Sequence, residues 1–164
     1  MNQSNLFQKY CIDTSSILDF WATRPETRPY HVQVKSFRSI WEYISKEVEK
    51  GSIVVPKIVA DEIQPENSEL KDWIDKHKKY FREHDYCLSE LAKINNKYPI
   101  YTEERGSLVD AIVISIAKAD DLTVITSEKY ANQPSQVRPK IPNVCEEFSV
   151  KWFNMPDFFK EVGL

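Results

Sequence analysis

The sequence predicts an α/β protein built on a mainly parallel sheet, and three observations carry that prediction. Short apolar runs at Tyr10-Cys11-Ile12, Ile53-Val54-Val55-Pro56 and Leu122-Thr123-Val124-Ile125-Thr126 read as strands buried on both faces. Helical periodicities fill the intervals between them, as they do in βαβ units. The first run ends at Asp13 and passes into Thr14-Ser15-Ser16, residues that start helices, ahead of Ile17, Leu18, Phe20 and Trp21. In such sheets ligands bind outside the carboxyl ends of the strands, which is where Asp13 falls. The competing reading is that Asp13 only caps the helix.

The chain has 164 residues, enough for one domain (1–164) with a real core. Apolar residues make up 41% and charged ones 29%, which places it with globular proteins and not with disordered or membrane ones. Three glycines are too few for a P-loop or a dinucleotide fingerprint. The polar start, Met1 to Asn5, argues against a signal peptide, and no apolar run is long enough to span a membrane. Cys11, Cys87 and Cys145 are odd in number and widely spaced, as reduced thiols are, and the expected compartment is the cytoplasm. A net charge of −3 means that any basic nucleic-acid surface must be local.

In chain order, two prolines make 24–30 a loop. Val34, Phe37, Trp41, Ile44 and Val48 form the stripe of an amphipathic helix, which ends at Lys50-Gly51. Pro56 suits the first turn of a helix over about 57–64. On its wheel Glu62 falls in the apolar arc of Ile58, Val59 and Ile63, while Asp61 points away. An acid there needs a partner or must reach solvent along its own stem. A helical hairpin is expected over 66–98. Leu70, Trp73, Ile74, His77 and Phe81 form one stripe, and Cys87, Leu88, Leu91 and Ile94 the other. His77 reads as a packed histidine, and the hairpin's lysines and Arg82 as a solvated face.

Gly106 to Asp110 opens a helix that is apolar nearly all round through Ala117, hence buried, with Asp110 near its start. Ser107 and Asp110 also have capping-box spacing. Glu128 follows the third strand in Thr126-Ser127-Glu128, with a plain surface role as the alternative. A loop at 133–139, a short helix over 144–148, an edge strand at 151–153 and a closing helix at 155–162 complete the chain.

Asp13, Glu62, Asp110 and Glu128 thus belong to elements that a right-handed winding can gather at one end of the sheet. A cluster of four carboxylates wants a cation, and all-oxygen ligands select Mg²⁺ or Mn²⁺. Such an ion suits phosphodiester cleavage.

These residues resemble a PIN domain. The resemblance rests on Ile12-Asp13-Thr14-Ser15, Val59-Ala60-Asp61-Glu62 and Asp110 to Ala117 followed by Leu122 to Thr126. In order and spacing it is similar to the VapC-type ribonuclease toxins. Tyr98-Pro99 and Lys140 to Cys145 resemble a little-characterised PIN-like bacterial group. The resemblance implies a three-layer α/β/α sandwich and a Mg²⁺- or Mn²⁺-dependent endoribonuclease acting on single-stranded RNA. It assigns the metal to Asp13, Glu62 and Asp110, with Glu128 standing where the family often has Asp. Thr14, Ser15 and Thr126 would orient water or phosphate oxygens. The expected role is the toxin of a toxin–antitoxin pair, its partner an antitoxin of DNA-binding-regulator type, with a homodimer left open. The alternative is a PIN-like module that binds RNA or protein without cutting.

Overall fold

The computed structural model describes residues 9–22, 35–63, 68–103 and 105–164. The expectations placed on Met1 to Asn5, Arg24 to Tyr30, Val34, Gln64 and Glu66, and on the side chain of Phe37, lie outside the described residues.

Strand β1 (Tyr10–Ile12) runs into helix α1 (Thr14–Ala22), and α2 (Lys35–Lys50) leads to β2 (Ile53–Val54). The helices α3 (Lys57–Glu62), α4 (Ser68–His77), α5 (Leu88–Lys97), α6 (Ile100–Glu103) and α7 (Arg105–Asp120) precede β3 (Thr123–Ile125). Helix α8 (Ile141–Glu147), β4 (Trp152–Phe153) and α9 (Met155–Val162) follow. The four strands form one sheet in the order β2-β1-β3-β4, with every neighbouring pair parallel.

Residues on β1 alternate between the two helical layers, as strand geometry requires. The Tyr10 ring meets Phe158 of α9 edge-on at 5.2 Å, and Phe20 of α1 and Tyr43 of α2 meet the same ring. Cys11 faces the other way, its Sγ 3.7 Å from the Val113 carbonyl of α7. Helices α1, α2 and α9 therefore cover one face and α7 the other, giving an α/β/α sandwich. Helix α7 is buried almost all round, from Val109 through Ala117, so its weak amphipathicity reports its place in the centre.

The chain leaves β1 for β2 on one side and returns to β3 on the other. The carboxyl ends of β1 and β3 thus flank a topological switch point, the crevice where open α/β sheets bind ligands.

Several elements depart from the sequence reading. Strand β2 is only two residues long, and Pro56 is the N-cap of α3, not part of its first turn. Proline has no N–H to give, so the edge is extended by its neighbours. Arg82 N–H donates to the Val55 carbonyl at 2.9 Å, and Lys57 N–H to the Arg82 carbonyl at 2.8 Å. Arg82 is also no solvated cation, since its guanidinium pairs with Asp120 at the end of α7. The two helices of the expected hairpin pack on different neighbours, α4 on α2 through Trp73 and Trp41 (4.8 Å between rings) and α5 on α7. Leu88, expected on the apolar stripe, is 55% exposed, because it opens α5 at the edge of the arc set by Leu91 and Ile94. Helix α8 starts at Ile141, three residues earlier than expected, because Pro142 fits the first turn of a helix. His77 is buried as expected, held by the Trp73 carbonyl at 2.8 Å and Glu49 at 3.2 Å. Lys93 pairs with Glu90 of its own helix, and Lys78, just past the end of α4, with Asp75; such exposed pairs contribute little. No helix of the described residues is long and apolar enough to cross a membrane.

Phe158 joins three elements of one layer to β1, so its removal tests that layer. Phe158→Ala is expected to cost about 3–5 kcal/mol in urea unfolding. A loss under ~1 kcal/mol would mean that α9 does not close the core.

Candidate functional site

Asp13 follows the last residue of β1 and is 2% exposed. Its Oδ1 accepts the Ser16 N–H at 2.8 Å, the bond of an N-cap at the start of α1. Its Oδ2 accepts two hydroxyls, Ser15 and Thr126, each at 2.7 Å. The cap reading is therefore correct and incomplete, since Thr126 reaches Asp13 from the end of a different strand. Burial pushes the carboxyl above its ordinary pKa, and the bonds from Thr126, Ser15 and Ser16 only offset part of that.

The neighbouring strand ends are tied to the same point. Ser16 Oγ donates to the Ile125 carbonyl at 3.1 Å, and Ser15 Oγ accepts the Ser127 N–H at 3.3 Å. Thr126 Oγ1 accepts the Glu128 N–H at 3.1 Å. Glu62, at the end of α3, accepts the Thr14 hydroxyl at 2.5 Å. Glu128 turns Oε2 onto the Ile141 N–H at 2.8 Å and so holds the first turn of α8. Thr14, Ser15 and Thr126, expected to orient water or phosphate, each donate to an acid in this structure.

Asp110 stands apart. Helix α7 begins two residues before Ser107, so Ser107 and Asp110 lie inside the helix and do not form a capping box. Among the described residues no hydrogen-bond donor reaches the Asp110 carboxylate. Burial, and then the charges of Glu128, Asp13 and Glu62, push it up to about 8, with Lys140 opposing. Asp13, Glu62 and Glu128 are thus each close enough to act on Asp110, and Asp110 is the one of the four without a hydrogen-bond donor among the described residues.

Sequence reading missed three residues here. Ser16 is buried and ties α1 to β3. Lys140 supplies the opposing positive charge. Tyr101 of α6 is 1% exposed, and its hydroxyl has no hydrogen-bond partner among the described residues. Burial, and then the charges of Asp110 and Glu128, raise the Tyr101 phenol pKa. Helix α6 packs on α7, which carries Asp110. A tyrosine nine positions before an acid has no local periodicity to announce it.

Among the described residues no three His, Cys, Asp or Glu side chains form a group that could hold a metal ion as they stand. In this structure Asp13, Glu62 and Glu128 are each turned onto a donor. The donor set nevertheless fits a hard cation, being all oxygen. The Ser127 and Tyr101 hydroxyls, buried without partners among the described residues, are groups that an ion or its water would satisfy.

Residues 10–164 match the family described as Domain of unknown function (DUF4411), and the chain belongs to that family. No curated protein matches the chain.

Two outcomes follow from this geometry. Folded Asp110 keeps its proton to about pH 8, whereas an unfolded aspartate releases it near pH ~4. The folded state therefore holds the extra proton between those values, and stability falls as pH rises through that window, by up to about 1.4 kcal/mol per unit. Asp110→Asn should flatten this slope and be the more stable form at pH 8 in EDTA; parallel wild-type and mutant curves would contradict the cluster. Asp13→Ala, which strips a cap and leaves two hydroxyls without an acceptor, should cost roughly 2–4 kcal/mol in urea unfolding. Asp13→Asn, which keeps an acceptor, should cost less.

Proposed function

We propose that this member of the family is a Mg²⁺- or Mn²⁺-dependent endoribonuclease of PIN-domain type that cleaves single-stranded RNA. One observation supports the reading above the others: a half-buried carboxylate with no donor, pushed up to about 8 among three other acids at the switch point of a parallel sheet. Such an arrangement weakens the fold unless a cation compensates it.

Asp13, Glu62 and Asp110 would hold the ion, with Glu128 completing the set. When bound, the ion supplies charge neutralisation at a phosphate and a lowered pKa for a coordinated water. The chain's own residues do the rest. Thr126, Ser15 and the Ser16 N–H fix the Asp13 carboxylate, and Thr14 fixes Glu62. Asp110, raised to about 8 in the free protein, would have to be charged to hold a cation, so binding would be stronger at higher pH. No histidine or cysteine nucleophile takes part. On this reading the chain is the toxin of a toxin–antitoxin pair, acts in the cytoplasm and is neutralised by a protein antitoxin, a candidate DNA-binding regulator.

The hydrogen bonds that occupy Asp13, Glu62 and Glu128 favour a second reading, a module that binds RNA or a protein through this face without cutting.

The test is cleavage of labelled single-stranded RNA with Mn²⁺ or Mg²⁺, paired with melting curves. EDTA and Asp110→Asn should each abolish cleavage. Mn²⁺ at a hundredfold excess over its dissociation constant should stabilise wild type by about 2.7 kcal/mol and Asp110→Asn by much less. Cleavage by Asp110→Asn at the wild-type rate would end the nuclease reading. RNA binding with no Mn²⁺ stabilisation would favour the binding module.

A further inference from the structure

We propose that Tyr101 is a positioning residue of the acid cluster, its hydroxyl donating to the charged Asp110 carboxylate through one bridging water. Tyr101 is a buried donor without an acceptor. Asp110 is an acceptor without a donor among the described residues. They sit on α6 and α7, which pack together, and the phenol oxygen lies within the electrostatic reach of Asp110. Each group supplies what the other lacks.

The setting of α6 is rigid enough for such a role. Its single turn is anchored by the Tyr101 N–H on the Tyr98 carbonyl at 3.0 Å and the Thr102 N–H on the Pro99 carbonyl at 2.9 Å. The Tyr98 hydroxyl in turn bonds Glu147 of α8, and the Tyr98 and Tyr101 rings lie 5.7 Å apart. Substrate cannot reach a hydroxyl this buried, so Tyr101 acts through another residue. Groups that orient a metal-holding carboxylate from behind alter affinity without touching the reacting atoms. If the hydroxyl had no function, phenylalanine would serve better, because an unsatisfied buried hydroxyl shifts the folding equilibrium by roughly tenfold in the wrong direction.

This inference rests on the metal-site reading for its purpose, but the pairing itself can be tested without metal. In EDTA at pH 9, where Asp110 has lost its proton, urea unfolding of wild type, Tyr101→Phe, Asp110→Asn and the double variant forms a cycle. The expected result is non-additivity of about tenfold in the unfolding constant, with Tyr101→Phe neutral or stabilising once Asp110 is Asn. Additive effects would overturn the proposal. Mn²⁺ titration of wild type and Tyr101→Phe, followed by melting, supplies the second readout. Binding should weaken about tenfold in the variant, the lower end for groups behind a ligand, and equal affinities would also overturn a positioning role. A wild type that takes no Mn²⁺ yet shows the coupling would sink the metal reading and leave the Tyr101–Asp110 pair standing.

Discussion

The carboxylate of Asp13 is the joint on which the rest of the structure depends. A parallel sheet has no hairpins, so something else must fix the ends of β1 and β3 against the helix that follows β1. Asp13 does this with one side chain: Oδ1 caps α1 through Ser16, and Oδ2 takes Thr126 from the end of β3. Ser16 closes the loop by donating to Ile125. A neutral hydrogen bond is worth about 1 kcal/mol net, but an acceptor left without its donors at this depth costs more than that. The bonds are therefore best seen as obligatory once the acid is buried, and their geometry sets the mouth of the crevice.

That solution leaves a second problem. Asp13 can be satisfied by hydroxyls because it lies between two strand ends rich in Ser and Thr. Asp110 enters from α7, whose neighbouring positions are apolar so that the helix can occupy the centre of one layer. From Ala111 to Ile114 the helix is apolar, so the turn that follows Asp110 gives its carboxylate no polar partner. Its charge is then opposed by desolvation and by three acids at once, with exposed Lys140 a weak counterweight. Evenly distributed hydrogen bonds would have made a quiet structural network. The asymmetry between Asp13 and Asp110 is what supports the proposed cation site.

Much of the frame was legible because it is local. Buried strands announce themselves as apolar runs, α7 by its lack of polarity, and Asp13 by its place between a strand and Thr14-Ser15-Ser16. The same logic located Glu62 on the inner side of α3. What could not be read is what joins positions far apart in the chain. Thr126 is 113 positions from Asp13, and Thr14 is 48 from Glu62, so no periodicity links them. The sequence marks Thr126 and Ser15 as hydroxyls at strand ends, but that both donate to Asp13 depends on direction, which is a tertiary property. Leu88 and Arg82 failed for a related reason: a stripe's edge and a charge's partner depend on which element lies opposite. Tyr101 had no signal at all, because a buried aromatic looks like core until its hydroxyl is found to lack a partner.

Glu128 shows how the two ends of the site are coupled. Its extra methylene, relative to Asp, gives the reach by which Oε2 meets the Ile141 N–H thirteen residues on. Asn143 adds a second tie, its side chain bonding both the N–H and the carbonyl of Ala131. The segment between Glu128 and α8 is thereby held at its base, with Lys140 at the N-cap of α8. A cation drawn to Asp110 would compete with the Ile141 N–H for the Glu128 carboxylate. Movement of Glu128 toward the acids would loosen the first turn of α8, while a Glu128 that stays put would leave three acids for the ion. The longer side chain thus makes occupancy of the site and the order of the 128–141 segment linked quantities, which an Asp at this position, too short to reach α8, would have kept separate.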